Sequence, residues 1–238
     1  MTSSGNPLRQ LENFGQSVWL DYIRRRLLLS PEFRRLIEED GLKGMTSNPT
    51  IFEKAISGSN DYDEQFAELV HTQKSADELY EELTTDDIKH AADALRRLYD
   101  ATDGRDGFVS YEVSPRLAND TNGTIAAAHR YFDLLGRPNL LVKVPATPAG
   151  LPAIEQLISE GHNINITLMF SLKHYQAVAE AYIQGLEKRA KAEKPLTRVV
   201  SVASVFVSRV DTLVDKRLDE RLKAALTKLS RRCAGPRR

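Results

Sequence analysis

Three residues carry the most pointed chemistry in this chain. Lys143 lies inside the apolar run Leu140-Leu141-Val142-Lys143-Val144-Pro145. Strand residues alternate sides, so Leu141, Lys143 and Pro145 share one face and Val142 and Val144 the other. Burying an ammonium among such neighbours is costly, and this favours the neutral amine. A neutral amine attacks a ketone to form an imine, which is an electron sink for carbon–carbon cleavage. A structural lysine paired with Glu112 or Asp21 fits the same strand, and the strand alone does not separate the two readings. Glu112 stands in Tyr111-Glu112-Val113-Ser114 on the preceding strand, and Asp21 ends the first one. Imine formation and aldol cleavage need proton shuttling, which two carboxylates supply if one acts directly and the other through water. Taken singly, each carboxylate is more readily a salt bridge or a helix cap.

A second group suits a polyol substrate. Asn48, Asn165 and Thr167 are neutral polar residues at strand ends, fit to hold hydroxyls. Asn48-Pro49 also reads as the N-cap of a helix entered by Ile51 and Phe52. Ser204 and Phe206 precede Arg209, and an arginine at a helix start beside a strand end suits phosphate. A salt bridge from Arg209 to Asp211 or Asp215 is the structural alternative.

The elements that must position these residues follow from hydrophobic patterning. Segments 17–21, 41–47, 108–114, 140–146, 163–170 and 199–206 read as buried strands. Helical patterns fill 31–40 (Phe33, Leu36 and Ile37 on one face), 121–135, 151–160, 172–192 and 210–229. The region 61–99 reads as several helices, with one stripe of Phe66, Leu69 and Val70 and another of Ala91, Ala94, Leu95 and Leu98. Strands alternating with helices predict a parallel α/β sheet, either doubly wound or a (β/α)8 TIM barrel. No glycine-rich phosphate loop follows the first strand, and chemically capable residues end several different strands, so the barrel is favoured. Only six strands are readable where a closed barrel has eight.

The bulk numbers set outer limits. With 238 residues and 41% hydrophobic content, the chain can bury one sizeable core and reads as a single, incomplete barrel domain. Lys plus Arg (33) balances Asp plus Glu (33), so net charge gives no case for nucleic acid or an anionic membrane. The basic ending, from about residue 225 to 238, reads as an atypical solvated tail. One cysteine, Cys233, forbids an intrachain disulfide and fits a reducing, cytoplasmic setting. The N-terminus lacks a secretory pattern, and the longest apolar runs are too short to span a bilayer. The five histidines and one cysteine show no metal-ligand spacing. Self-association into a homo-oligomer stays open.

Five ordered blocks resemble the transaldolases, most closely the longer bacterial type: Gly44 to Phe52, Tyr111 to Leu117, Leu141 to Thr147, Asn165 to Ser171 and Ser204 to Asp211. The resemblance implies a role for each matching position. Lys143 would form the Schiff base, Asp21 would be the acid/base for cleavage, and Glu112 would activate water. Asn48 and Asn165 would hold donor hydroxyls, and Thr167 would support the water. Ser204 and Phe206 would line the pocket, and Arg209 would bind phosphate. The implied reaction moves a dihydroxyacetone unit from sedoheptulose 7-phosphate to glyceraldehyde 3-phosphate, in the pentose phosphate pathway, with no cofactor or metal. The family pattern continues into a seventh and an eighth strand, so the expectation is a truncated chain. The alternatives are a fructose 6-phosphate aldolase-like lyase, disfavoured by Glu112, and an inactive fragment.

Overall fold

A computed structural model describes residues 5–233. Six strands form one parallel sheet in chain order: β1 (Val18–Asp21), β2 (Leu42–Thr46), β3 (Phe108–Glu112), β4 (Leu140–Pro145), β5 (Ile164–Met169) and β6 (Ser201–Val205). Parallel neighbours require a crossover between each pair. The crossovers carry α2 (Arg25–Leu28) and α3 (Pro31–Glu38), then α4 (Pro49–Ser57), α5 (Asp63–Leu69) and α6 (Ala76–Ala101). After them come α7 (Thr121–Leu135), α8 (Gly150–Glu160) and α9 (Leu172–Lys191). The short α1 (Pro7–Gln10) precedes β1, and α10 (Val207–Cys233) follows β6. The sheet curls into six-eighths of a (β/α)8 barrel, as the strand pattern predicts.

Each sheet face has its own apolar cluster. On the outer face Met45, Val109, Tyr111, Val142, Val144, Ile164 and Ile166 join Ile88, Leu95, Leu135, Ile154 and Leu157 of the helices in one buried core. On the inner face Phe108 and Leu141 pack with Tyr99, Trp19, Val200 and Val202. The registers stack the inner face in layers. Trp19, Gly44 and Phe108 are aligned across β1 to β3, and one layer higher Asp21, Thr46, Ser110 and Leu141 are aligned. Above these come Glu112, Lys143, Asn165 and Val202. Gly44 leaves room for the Trp19 indole, since a Cβ there would lie 2.3 Å from it.

Helix starts follow from local side chains. Asn48 caps α4, Asp120 caps α7, Ser171 caps α9, and Ser75 with Glu78 forms a capping box on α6. A buried polar network ties α2 and α5 to α6. Arg25 Nε donates to Asp87 Oδ1 at 2.8 Å, and the Tyr62 hydroxyl donates to Asp87 Oδ2 at 2.7 Å.

Three expectations are corrected. Phe66 and Val70 are exposed, because α5 is a short surface helix that turns only Leu69 of the expected stripe onto Ala55, Tyr62 and Leu83. On α6 Ala91 and Leu95 are buried and Leu98 packs against the core as expected, but Ala92 takes the inward place and Ala94 is turned to solvent. The last helix starts at Val207 and runs through Cys233, absorbing the first part of the expected tail; residues 234–238 lie outside the described residues. Along α10, Leu213, Leu218, Leu222 and Leu226 are exposed.

Candidate active site

Lys143 occupies the middle of β4, and its side chain reaches the inner face. Only 6% of the residue is accessible. Its Nζ donates to the Ser47 carbonyl at 2.9 Å, just beyond β2, and lies 3.3 Å from Glu112 Oε2 on β3. The ammonium or amine is thus held from two sides, by a backbone carbonyl and by a side-chain carboxylate. Burial pushes the Glu112 carboxyl above the usual carboxylate range; Lys143 opposes the shift and the charge of Asp21 adds to it. Asp21 is one layer below, exposed, at the end of β1, with its charge felt at Glu112. The three residues singled out for acid/base and imine chemistry therefore share one face and one electrostatic field.

A hydrogen-bonded chain extends the site across β3, β5 and β6. Asn165 Nδ2 donates to Ser110 Oγ at 2.9 Å, and Ser204 Oγ donates to Asn165 Oδ1 at 2.7 Å. Asn165 is aligned with Lys143, so the amide is fixed beside the amine. Thr167 is buried one layer above, aligned with Pro145. The next residue, Leu168, has φ 64°, and the β5–β6 register breaks between Ile166 and Met169. A non-glycine strand residue in the left-handed region marks backbone held against its own preference, a feature concentrated at functional sites.

Asn48 serves first as a cap: its Oδ1 accepts from Ile51 N at 2.9 Å. Its amide nitrogen is not used in that bond, so capping and ligand contact are compatible. Beyond β6, Phe206 stacks on Phe170 with centroids 5.8 Å apart, and the Arg209 guanidinium lies 4.1 Å over the Phe206 ring. No ion pair of Arg209 with Asp211 or Asp215 forms among the described residues. The fold thus pairs Lys143 with Glu112 and Asn165 with Ser204, aligns the two pairs in one layer through Lys143 and Asn165, sets Asp21 and Thr167 in adjoining layers, and leaves Asn48, Phe206 and Arg209 at the rim.

Ser47, Ser110 and Thr46 belong to the site and escaped the sequence reading. Ser110 precedes Glu112 by two on a strand, a spacing that puts both on one face. Thr46 Oγ1 is buried without a hydrogen-bond partner among the described residues, one layer below Lys143 on the same face. The Ser47 contact is made by a backbone carbonyl, which no residue type announces.

Comparison with known proteins decides the kinship. Residues 18–234 match the family model described as Transaldolase/Fructose-6-phosphate aldolase. The chain belongs to this family. It is 46% identical over 218 residues to the transaldolase of Trichodesmium erythraeum, covering 92% of this chain and 57% of that one. It is 50% identical over 216 residues to the transaldolase of Thermobifida fusca, covering 91% and 59%. To the transaldolase of Mycobacterium leprae strain TN it is 47% identical over 216 residues, covering 90% and 58%. The chain spans somewhat under three-fifths of the length of these relatives. Among the described residues no helix is long and apolar enough to cross a membrane.

Proposed function

We propose that this chain carries transaldolase chemistry, moving a dihydroxyacetone unit between sugar phosphates through a Schiff base on Lys143. The supporting observation is the enclosed Lys143 amine, fixed between the Ser47 carbonyl and the Glu112 carboxylate. Lys143 Nζ adds to the C2 ketone of sedoheptulose 7-phosphate, and loss of water leaves a protonated imine. Glu112, through water, carries the protons of that step and of the later hydrolysis, with Thr167 holding the water. Asp21 removes the proton from the C4 hydroxyl; the C3–C4 bond breaks, erythrose 4-phosphate leaves, and the electron pair settles in the enamine. The enamine carbon then attacks glyceraldehyde 3-phosphate, Asp21 returns the proton to the new hydroxyl, and water releases fructose 6-phosphate. Asn165, Asn48 and the unpartnered Thr46 hydroxyl hold substrate hydroxyls, Ser204 fixes Asn165, Phe206 lines the rim, and Arg209 binds phosphate. The imine withdraws electrons without help from a metal. We place the protein in the cytoplasm, with sugar phosphates as its ligands.

Borohydride reduction with fructose 6-phosphate tests the central step. Wild type should gain a covalent adduct mapped to Lys143 by mass spectrometry, and Lys143→Ala should gain none. A well-folded wild type without adduct would sink the proposal. The matched family also includes fructose-6-phosphate aldolases. Product partition separates the two: free dihydroxyacetone as the main product with acceptor present would favour the lyase.

A further inference from the structure

Away from the Lys143 site, three side chains from separate segments converge. His129 lies on α7, Glu160 is the last residue of α8, and His162 stands two residues before β5. His129 Nε2 is 2.5 Å from Glu160 Oε2, and His162 Nε2 is 3.9 Å from the same oxygen. All three potential ligand atoms lie within 4.8 Å of one another. We propose that His129, Glu160 and His162 form a binding site for a borderline divalent ion of the zinc class, with a fourth position open to water.

The donor set selects the ion. Two imidazoles and one carboxylate suit Zn2+, Co2+ or Ni2+, whereas Mg2+ and Ca2+ prefer oxygen ligands. Bond lengths of about 2.0–2.2 Å put the ligand atoms of a tetrahedral zinc about 3.3 Å apart. The observed separations bracket that value, so a small withdrawal of Glu160 from His129 and approach to His162 completes the geometry. The ligands are also held from behind, as metal ligands commonly are. Phe132 stacks on the His162 ring at 4.3 Å, and Gln156 Nε2 donates to Glu160 Oε1 at 3.0 Å, leaving Oε2 to face the histidines.

The surrounding charges are mixed. Asp133 adds negative charge near His162, and Arg189 adds positive charge. The Arg189 guanidinium is engaged by the Pro195 and Ser159 carbonyls.

The site joins α7, α8 and the segment before β5, at the N-terminal end of the strands, whereas the side chains around Lys143 lie toward the C-terminal end. Its effect is therefore expected on stability and not on turnover. An ion that binds only the folded chain raises the melting temperature. The test is Zn2+ titration of the metal-stripped full chain, read by competition with a chromophoric chelator and by thermal melting, with Mg2+ as control. One equivalent of Zn2+ should bind and raise the melting temperature, and Mg2+ should do neither. His129→Gln, at a half-exposed position, and Glu160→Gln should each weaken Zn2+ binding at least tenfold and remove the shift. Co2+ should give ligand-field absorption bands in wild type that His129→Gln loses. Absence of binding by wild type would overturn the proposal. So would unchanged binding in both variants, or binding lost only on replacing His71, His90 or His174.

Discussion

At the scale of single residues, Glu112 gives the sharpest expectation. Its carboxyl is raised above the usual range, first by burial and further by Asp21, against the pull of Lys143. In its proposed role of activating water it must be ionised. Activity should therefore fall as pH drops through this raised value, at a higher pH than an ordinary glutamate would give. Glu112→Gln should lower turnover by about 10²–10⁴-fold, the usual worth of a general acid–base group, and abolish the acid limb of the rate profile. A profile whose acid limb survives in Glu112→Gln would assign that limb elsewhere. Ser110→Ala tests positioning: it removes the donor–acceptor partner of Asn165, at a cost of about 1 kcal/mol, and should raise KM more than it lowers kcat. Strand alternation is enough to identify Lys143, Glu112 and Asn165 as candidates, because residue type and parity are both written locally. The contacts to Ser47 and Ser110 depend on register between strands, and parity says nothing about register. The triad of His129, Glu160 and His162 joins residues from three elements, so no local spacing marks it.

At the scale of elements, two features set the inner wall. Gly44 lies under the Trp19 indole, and a methyl group there would stand 2.3 Å from the ring. Gly44→Ala should cost about 1–3 kcal/mol by overpacking, measured by denaturant unfolding. Trp19 is the only tryptophan, so its fluorescence reports the same wall directly. An unchanged midpoint and spectrum would mean that the indole has room to move. The α2–α5–α6 junction depends on Asp87, fully enclosed and bonded to both Arg25 and Tyr62. Asp87→Ala leaves the guanidinium without its buried partner and should cost about 3–5 kcal/mol. All six strands fall inside the windows that apolar runs predict, because each run is long enough to fill a barrel stave and is bounded by polar residues. The helices α1 and α2 do not stand out, since four residues make barely one turn and carry no periodicity. The Phe66 stripe shows the complementary failure: amphipathic spacing identifies a face without saying what covers it.

At the scale of the molecule, β1 and β6 are the sheet's outer strands among the described residues, and α10 presents Leu218, Leu222 and Leu226 to solvent. Exposed apolar stripes of this kind favour association. Light scattering of the isolated chain should show mass rising with concentration, and the double variant Leu218→Glu, Leu222→Glu should reduce that rise. Equal behaviour of the two proteins would place the association elsewhere. The strand order has another consequence. Among the described residues every strand pairs only with strands adjacent to it in chain order. Within this six-stranded sheet each strand's earlier neighbour precedes it directly, so during synthesis each new βα unit can dock on a template already in place. The lysine's pocket needs nothing beyond the stretch from β2 to β5 for its closest contacts. Assembly can thus proceed in the order of translation, and the Lys143 amine acquires its neighbours before α10 is made.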